Sequence, residues 1–438
     1  MSSPARSRAA SSLTSRLRAL GAGATLLHVG AHPDDEQSAL IARVSLGDGA
    51  HAAYWSATRG EGGQNAVGAE RGEALGIIRT WESLAARRFD GGEVLYGPFY
   101  DFGYSKRGAE TLARWGRDRL VDEIVRAIRV VRPQVVVSRW SGGPGDGHGH
   151  HQAIGLVIEE AFDAAGEPAR GPSLPSWSPV RLYRSLAGDW QAGEEDAAGG
   201  DASADGDVWI DAGEIEPESG RTFEELAREG CNRHRSQGFA LLPRPGSARY
   251  GYRLLRGPAD GGEGFFAGID TSLAALCDRA GEPSPAIADA LNRAQKAAQR
   301  AYESFHPHRP RAVIAALAEG LAALGEAESA ARRDGALIRE IRRRRAAFAA
   351  VVADCSGIRV EASAAAPRAT PGSTLPVIVR VWGAAGARVR LEAPAGFAVA
   401  EGPSTGAEEP ETGGPRRFEV RIPVDAAFSV PYWLRESR

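Results

Sequence analysis

Lysine is nearly missing from this chain: Lys106 and Lys296 are the only two among 53 basic residues, and the rest are arginine. With 56 acidic residues the net charge is −3, which removes the broad positive field expected of a nucleic-acid binder. Cysteine is scarce as well. Cys231, Cys277 and Cys355 stand far apart with no CxxC pair, which argues against a disulfide framework and against a cysteine-based zinc module. A single methionine excludes a Met-rich partner groove. No apolar run approaches the ~18–20 residues that a membrane span needs. The Arg- and Ser-rich stretch Met1–Leu20 lacks the apolar segment of a secretory signal, so residues 1–20 read as a disordered tail on a cytoplasmic protein.

What remains is a chain of 438 residues, 43% of them hydrophobic, enough to bury several cores. Between residues 21 and 265 short apolar runs alternate with helical stretches. Thr25–Gly30, Ala52–Thr58 and Gln134–Ser138 read as strands, with helices after the first, near Ala69–Arg88 and over Leu120–Val131. Buried strands linked by helices imply an α/β domain with a doubly wound, mostly parallel, Rossmann-like sheet. Residues 191–207 are acidic and rich in Gly and Ala, and are expected to form a mobile loop. Residues 266–355 form a helical segment, broken at His306-Pro-His-Arg-Pro310, for which a helical hairpin is the simplest picture. Residues 356–438 alternate like strands, including Arg388–Leu391, between Pro and Gly turns. About five strands are expected there, against the ~7 of an immunoglobulin-like sandwich, so the module reads as a partial β-sandwich and the chain as truncated.

The chemistry concentrates in two places. Ala31-His32-Pro33-Asp34-Asp35-Glu36 follows the first strand, at the end where α/β sheets collect ligands. His32 and Asp35 are spaced to share a metal across a tight turn, which leaves Asp34 for proton chemistry; the plainer alternative is that both aspartates cap a helix. The second cluster, Gly142-Gly-Pro-Gly-Asp-Gly147 followed by His148-Gly-His-His151, again stands after a strand, on a Gly-rich loop. Two imidazoles and one carboxylate with an open position suit catalytic zinc. An adventitious His-rich loop is the alternative.

These residues resemble the LmbE/PIG-L family of zinc-dependent N-acetylglucosaminyl deacetylases. Thr58-Arg-Gly-Glu-Gly-Gly-Gln-Asn65, Tyr100-Asp-Phe-Gly-Tyr104 and His234-Arg-Ser-Gln-Gly238 are similar to its long bacterial members, so the resemblance runs from about Ala24 to Leu255. It implies metal ligands at His32, Asp35 and His151, a general base at Asp34 and an oxyanion-steadying histidine at His148. Many short members carry Asp where this chain has His150; were His150 to reach the metal instead, the other two histidines would be reassigned. The resemblance also implies substrate contacts at Arg79 and Asp101. Arg79 and Glu82, three apart on a helix, would equally make an ion pair. Arg59, Glu61 and Asn65 lie on the loop after the second strand, near the same end of the sheet, as substrate contacts or as turn residues. His234, with Arg235 and Gln237, would close the pocket or form a plain surface cluster.

The chemistry is coherent without the name. Zinc lowers the pKa of bound water to about 7 and polarises a carbonyl. A carboxylate at Asp34 could take the water's proton and pass it to the leaving nitrogen, while His148, if protonated, could hold the oxyanion. The expected substrate is an N-acetylated sugar of the GlcNAc type or a glycoconjugate, the expected metal Zn2+, with Fe2+ as the alternative. Another amide as substrate, or a non-catalytic carbohydrate- or metal-binding protein, are the competing readings; an intact Asp34 weighs against the latter. The basic run Arg342–Arg345 follows Glu340 on a helix and reads as a solvated face.

Overall fold

The computed structural model describes residues 13–171, 173–186, 207–259, 264–332, 335–384, 387–402 and 414–430. The chain runs α1 (Leu13–Leu20), β1 (Thr25–Gly30), α2 (Ser38–Ala42), β2 (His51–Ser56), α3 (Glu73–Asp90), β3 (Glu93–Tyr96), α4 (Gly108–Trp115), α5 (Arg117–Val131), β4 (Val135–Ser138), α6 (Gly149–Ala164) and β5 (Arg181–Ser185). It continues through β6 (Val208–Asp211), β7 (Ile215–Glu216), β8 (Arg221–Thr222), α7 (Phe223–Cys231) and β9 (Arg249–Arg256).

Among the described residues, seven strands form one sheet in the order β3-β2-β1-β4-β5-β9-β6, parallel from β3 to β5, with β9 reversed against its neighbours. Because β1 and β4 are fully buried on both faces, their sequences are nearly continuous apolar runs rather than alternating ones. Leu27, Val29 and Val136 pack on one face with α5 and α6 residues such as Ile124 and Ile154. Leu26, Val135 and Val137 pack on the other with Leu40, Ile41 and Tyr54. After β1 the chain winds toward β2 and β3; from β4 it winds the other way, toward β5. The crevice between the carboxyl ends of β1 and β4 is therefore the topological switch point. Both His/Asp clusters of the sequence open onto it.

Beyond the sheet come α8 (Ala275–Arg279), α9 (Pro285–Glu303), α10 (Ile314–Ala330) and α11 (Ala336–Ser356). Ser284 caps α9, accepting from the Ile287 N–H ahead of Pro285 at the first helical position. The expected hairpin is instead three long helices, since the chain turns a second time before Gly335. A fourth joins them. Leu13–Leu20, expected in a disordered tail, is helix α1: Leu17 and Leu20 are buried with Leu291, Leu324 and Phe348, and Arg16 pairs with Asp354. Residues 1–12 and most of the acidic stretch 191–207 lie outside the described residues.

Strands β10 (Arg359–Ala364), β11 (Thr374–Trp382), β12 (Ala398–Glu401) and β13 (Arg416–Arg421) make one antiparallel sheet, β10-β11-β13-β12. Val377, Val379, Val381, Phe418 and Val420 line its inner face. Arg388–Leu391, expected as a strand, pairs with none among the described residues; Val389 and Leu391 instead pack on that face. An apolar alternation with period two suits either use, because only the side chains on one side need burial.

Candidate active site

The turn after β1 is fixed by its own aspartate. The Asp35 carboxylate accepts the N–H groups of Ala31 and His32, both at 2.8 Å, closing the chain on itself in a way that leaves its other oxygen toward His151 Nε2 at 3.2 Å. The Tyr54 hydroxyl donates to the His32 carbonyl, and Thr58 Oγ1 to that of Ala31 at 2.8 Å. Gly30 makes room for this: a Cβ there would lie 2.4 Å from the Tyr54 hydroxyl.

The loop after β4 is held by Asp146. Its carboxylate accepts the Ser141 N–H at 3.0 Å, the Ser141 hydroxyl at 2.9 Å and the Gly142 N–H at 2.7 Å. Its carbonyl accepts the His148 N–H at 2.7 Å and faces His151 Nδ1 at 3.0 Å. A carbonyl only accepts, so His151 donates to it from Nδ1, which turns Nε2 toward Asp35. His148 caps α6: its Nδ1 accepts the His150 N–H at 3.0 Å. The neutral ring therefore bears its proton on Nε2.

His32 Nδ1, an Asp35 oxygen and His151 Nε2 come within ligand reach of one another, all inside 4.8 Å. His32 Nδ1 stands 3.1 Å from His151 Nε2 and 3.5 Å from Asp35. A donor set of two imidazoles and a carboxylate suits zinc or iron(II), and here it is oriented by outer partners as ligating histidines are. His150 does not join that trio. It is fully buried, with Nδ1 3.0 Å from His32 Nε2 on the far side of the ring.

Electrostatics separate the two aspartates. Burial, then the neighbouring Asp35 charge, raises Asp34 above the usual carboxylate range. Burial would do the same to Asp35, but His151 and His32 outweigh it and hold it well below that range. Asp34 is half-buried and accepts no hydrogen bond among the described residues. Burial opposes a charge on His32, yet Asp35, Asp101 and Asp34 raise it to about 9, the mark of a pocket richer in carboxylates than in cations. Burial, then His32 and His151, lower His148 to about 3. With Nδ1 accepting the His150 N–H, Nε2 is the nitrogen from which His148 can donate.

The remaining expected residues divide. Arg79 is buried beneath the loop after β2, donating to Gln64 O at 2.8 Å and Ser236 Oγ at 3.3 Å. Gly63 permits this, since a Cβ there would meet the guanidinium at 2.6 Å. Glu82 makes no ion pair with Arg79 among the described residues; it accepts the Ser236 N–H at 2.8 Å and hydroxyl at 2.6 Å. The two side chains together clamp the 234–237 turn. Asp101 is buried, accepting the Gly103 N–H at 2.9 Å and facing His150 at 3.7 Å and His32 at 4.0 Å. Arg59 turns away to Thr80 Oγ1, at 2.7 Å, and the Tyr96 ring. Asn65 and Glu61 are loop ties: Asn65 accepts the N–H groups of Val67 and Gly68, and Glu61 those of Arg59 and Asp101.

His234 is buried with Nε2 3.3 Å from Glu36, which also accepts from Arg87 at 2.8 Å; Arg87 in turn pairs with Asp90 at 2.6 Å. Arg87 and His234 offset the burial of Glu36 and lower it to about 2. The roles of Glu36, Arg87 and Asp146 carry no sequence signal of their own.

A family model described as PIG-L, GlcNAc-PI de-N-acetylase, matches residues 27–162. The 1D-myo-inositol 2-acetamido-2-deoxy-alpha-D-glucopyranoside deacetylase of Geodermatophilus obscurus is 36% identical over 36% of this chain and 60% of its own length. The chain thus spans about three-fifths of that relative. The enzyme of the same name from Tsukamurella paurometabola is 33% identical over 42% of this chain and 69% of its own. A solved structure of N,N'-diacetylchitobiose deacetylase from Pyrococcus horikoshii aligns at 18% identity and a TM-score of 0.36, over 49% of this chain and 71% of that one. With the matched span holding both His/Asp loops, the chain belongs to the PIG-L (LmbE-like) family.

Proposed function

We propose that the chain is a metal-dependent N-deacetylase of a GlcNAc-type sugar or glycoconjugate. The observation that carries this reading is the divergence of two adjacent carboxylates: Asp35 is tied to backbone and histidine, while Asp34 stands free and basic beside it. Paired groups driven apart in this way divide into a ligand and a proton carrier. The names of the relatives supply the substrate class.

His32, Asp35 and His151 would hold a divalent ion, zinc by the donor set and iron(II) as the alternative. Such an ion supplies Lewis acidity toward water and toward an amide carbonyl. Asp34 takes a proton from the attacking water as its oxygen bonds to the acetyl carbon. His148 donates from Nε2 to the developing oxyanion, an interaction worth roughly 3–4 kcal/mol. Asp34 then passes its proton to nitrogen as the C–N bond breaks, giving acetate and the free amine.

The test is acetate release from a panel of N-acetyl sugars by wild type and Asp34→Asn, with metal content measured in both. Expected is a loss of about 10²–10⁴ in kcat with metal retained. Metal bound by wild type with no release from any sugar would overturn the deacetylase and leave a binding protein.

A further inference from the structure

We propose that His32, His148 and His150, with Asp101 beside them, form a second divalent-cation site that shares His32 with the first. The proposal rests on the reading of His32, Asp35 and His151 as a metal site.

His32 is the hinge of the argument because its two ring nitrogens face two different donor sets. Nδ1 looks toward His151 and Asp35. Nε2 looks toward His150 Nδ1 at 3.0 Å, with Asp101 at 4.0 Å. The separation from His150 is close to the 3.1 Å between His32 and His151 on the other side. Ligand atoms of His32, His148 and His150 all lie within 4.8 Å of one another, as do those of the first trio. The site is built from the interior: His150 is fully buried, wedged between the rings of Phe102 at 4.4 Å and Trp115 at 4.5 Å, and Asp101 is fixed by the Gly103 N–H. His148 spends Nδ1 on the α6 cap, so Nε2 is the nitrogen it has left to offer.

Asp101 adds a carboxylate 3.7 Å from His150.

Two consequences follow from sharing a ring. Two cations on the two nitrogens of one ring repel each other, so the second ion binds more weakly than the first. It also engages His148, the oxyanion donor of the proposed reaction. The first equivalent of metal activates and the second inhibits.

The test is equilibrium dialysis of the full chain, without an affinity tag, against Zn2+ and Co2+, followed by metal analysis. Wild type is expected to bind two ions per chain, and His150→Ala and His148→Ala one each. Because His150 is buried, the half-buried His148 variant and a thermal unfolding curve guard against misfolding. With Cu2+, a ring-bridged pair couples magnetically, so the resonance signal is expected to fall as the second equivalent is added to wild type and not to His148→Ala. A plateau at one ion in wild type, lost in Asp35→Ala, overturns the second site and leaves the first intact. Two ions in both histidine variants overturns it as well. No bound ion at all removes the first site together with the second.

Discussion

His151 lies flat against Trp140, ring centroids 3.7 Å apart and planes 3° from parallel. The indole blocks one face of the imidazole while the Asp146 carbonyl holds its edge, so the ring can neither flip nor swing. A ligand prepared in this way loses little freedom when it binds.

Replacing that support should therefore be felt in affinity before it is felt in fold. Trp140→Leu, an apolar exchange, is expected to weaken zinc binding by about 10–100-fold, the usual cost of losing an outer partner. Chelator competition would measure it, and an unchanged affinity would show that Asp146 alone suffices to hold His151.

The two His/Asp motifs were legible because each follows an apolar strand, and strand ends in such sheets are where ligands gather; choosing His151 among the three histidines of the second motif took the family resemblance. The arrangement behind them was not. Glu36 and His234 are separated by 198 positions, and only the packing of α7 against α2 and α3 brings them together. Arg79 and Glu82 have the spacing of an ion pair, yet each finds Ser236 instead, because a buried hydroxyl and amide must be satisfied and the helix face offers both residues to the same turn.

That turn gives a second expectation. Ser236 is fully buried and its hydroxyl joins Arg79 to Glu82. Ser236→Ala leaves both charged groups short of a partner and should destabilise the fold by about 1–3 kcal/mol. Denaturant unfolding would show it as a lower midpoint at unchanged slope; a change within a few tenths of a kcal/mol would mean that water replaces the hydroxyl.

The N-terminal helix repeats the lesson at the level of fold. Its Arg and Ser content reads as a tail, but Leu13, Leu17 and Leu20 recur at the spacing of one helical face. Eight residues are too few for a helix that stands alone; this one is stable because Leu17 is fully buried among α9, α10 and α11 residues. Leu17→Ala is expected to cost about 2–5 kcal/mol. Thermal unfolding would register it, and an unaltered curve would return this segment to a tail.

The helical bundle also holds an acid-sensitive contact. Glu340 is 7% exposed and accepts from Arg344 at 2.7 Å and Arg343 at 2.9 Å. Burial alone would raise its pKa; Arg343 and Arg344 outweigh it and lower the group to about 2 from an ordinary 4.5. The folded state thus binds this proton less readily than the unfolded chain. The stabilisation is complete above about pH 4.5 and drains away as pH falls from there toward about 2, because the unfolded carboxyl protonates first. Glu340→Gln keeps the shape but not the charge, so its own contribution no longer varies with pH. Wild type should therefore lose more stability than the variant between about pH 5 and pH 3, by an amount on the order of 1–3 kcal/mol. Urea midpoints across that window would measure the difference. Parallel curves would mean that the two arginines do not distinguish the folded carboxylate from the free one.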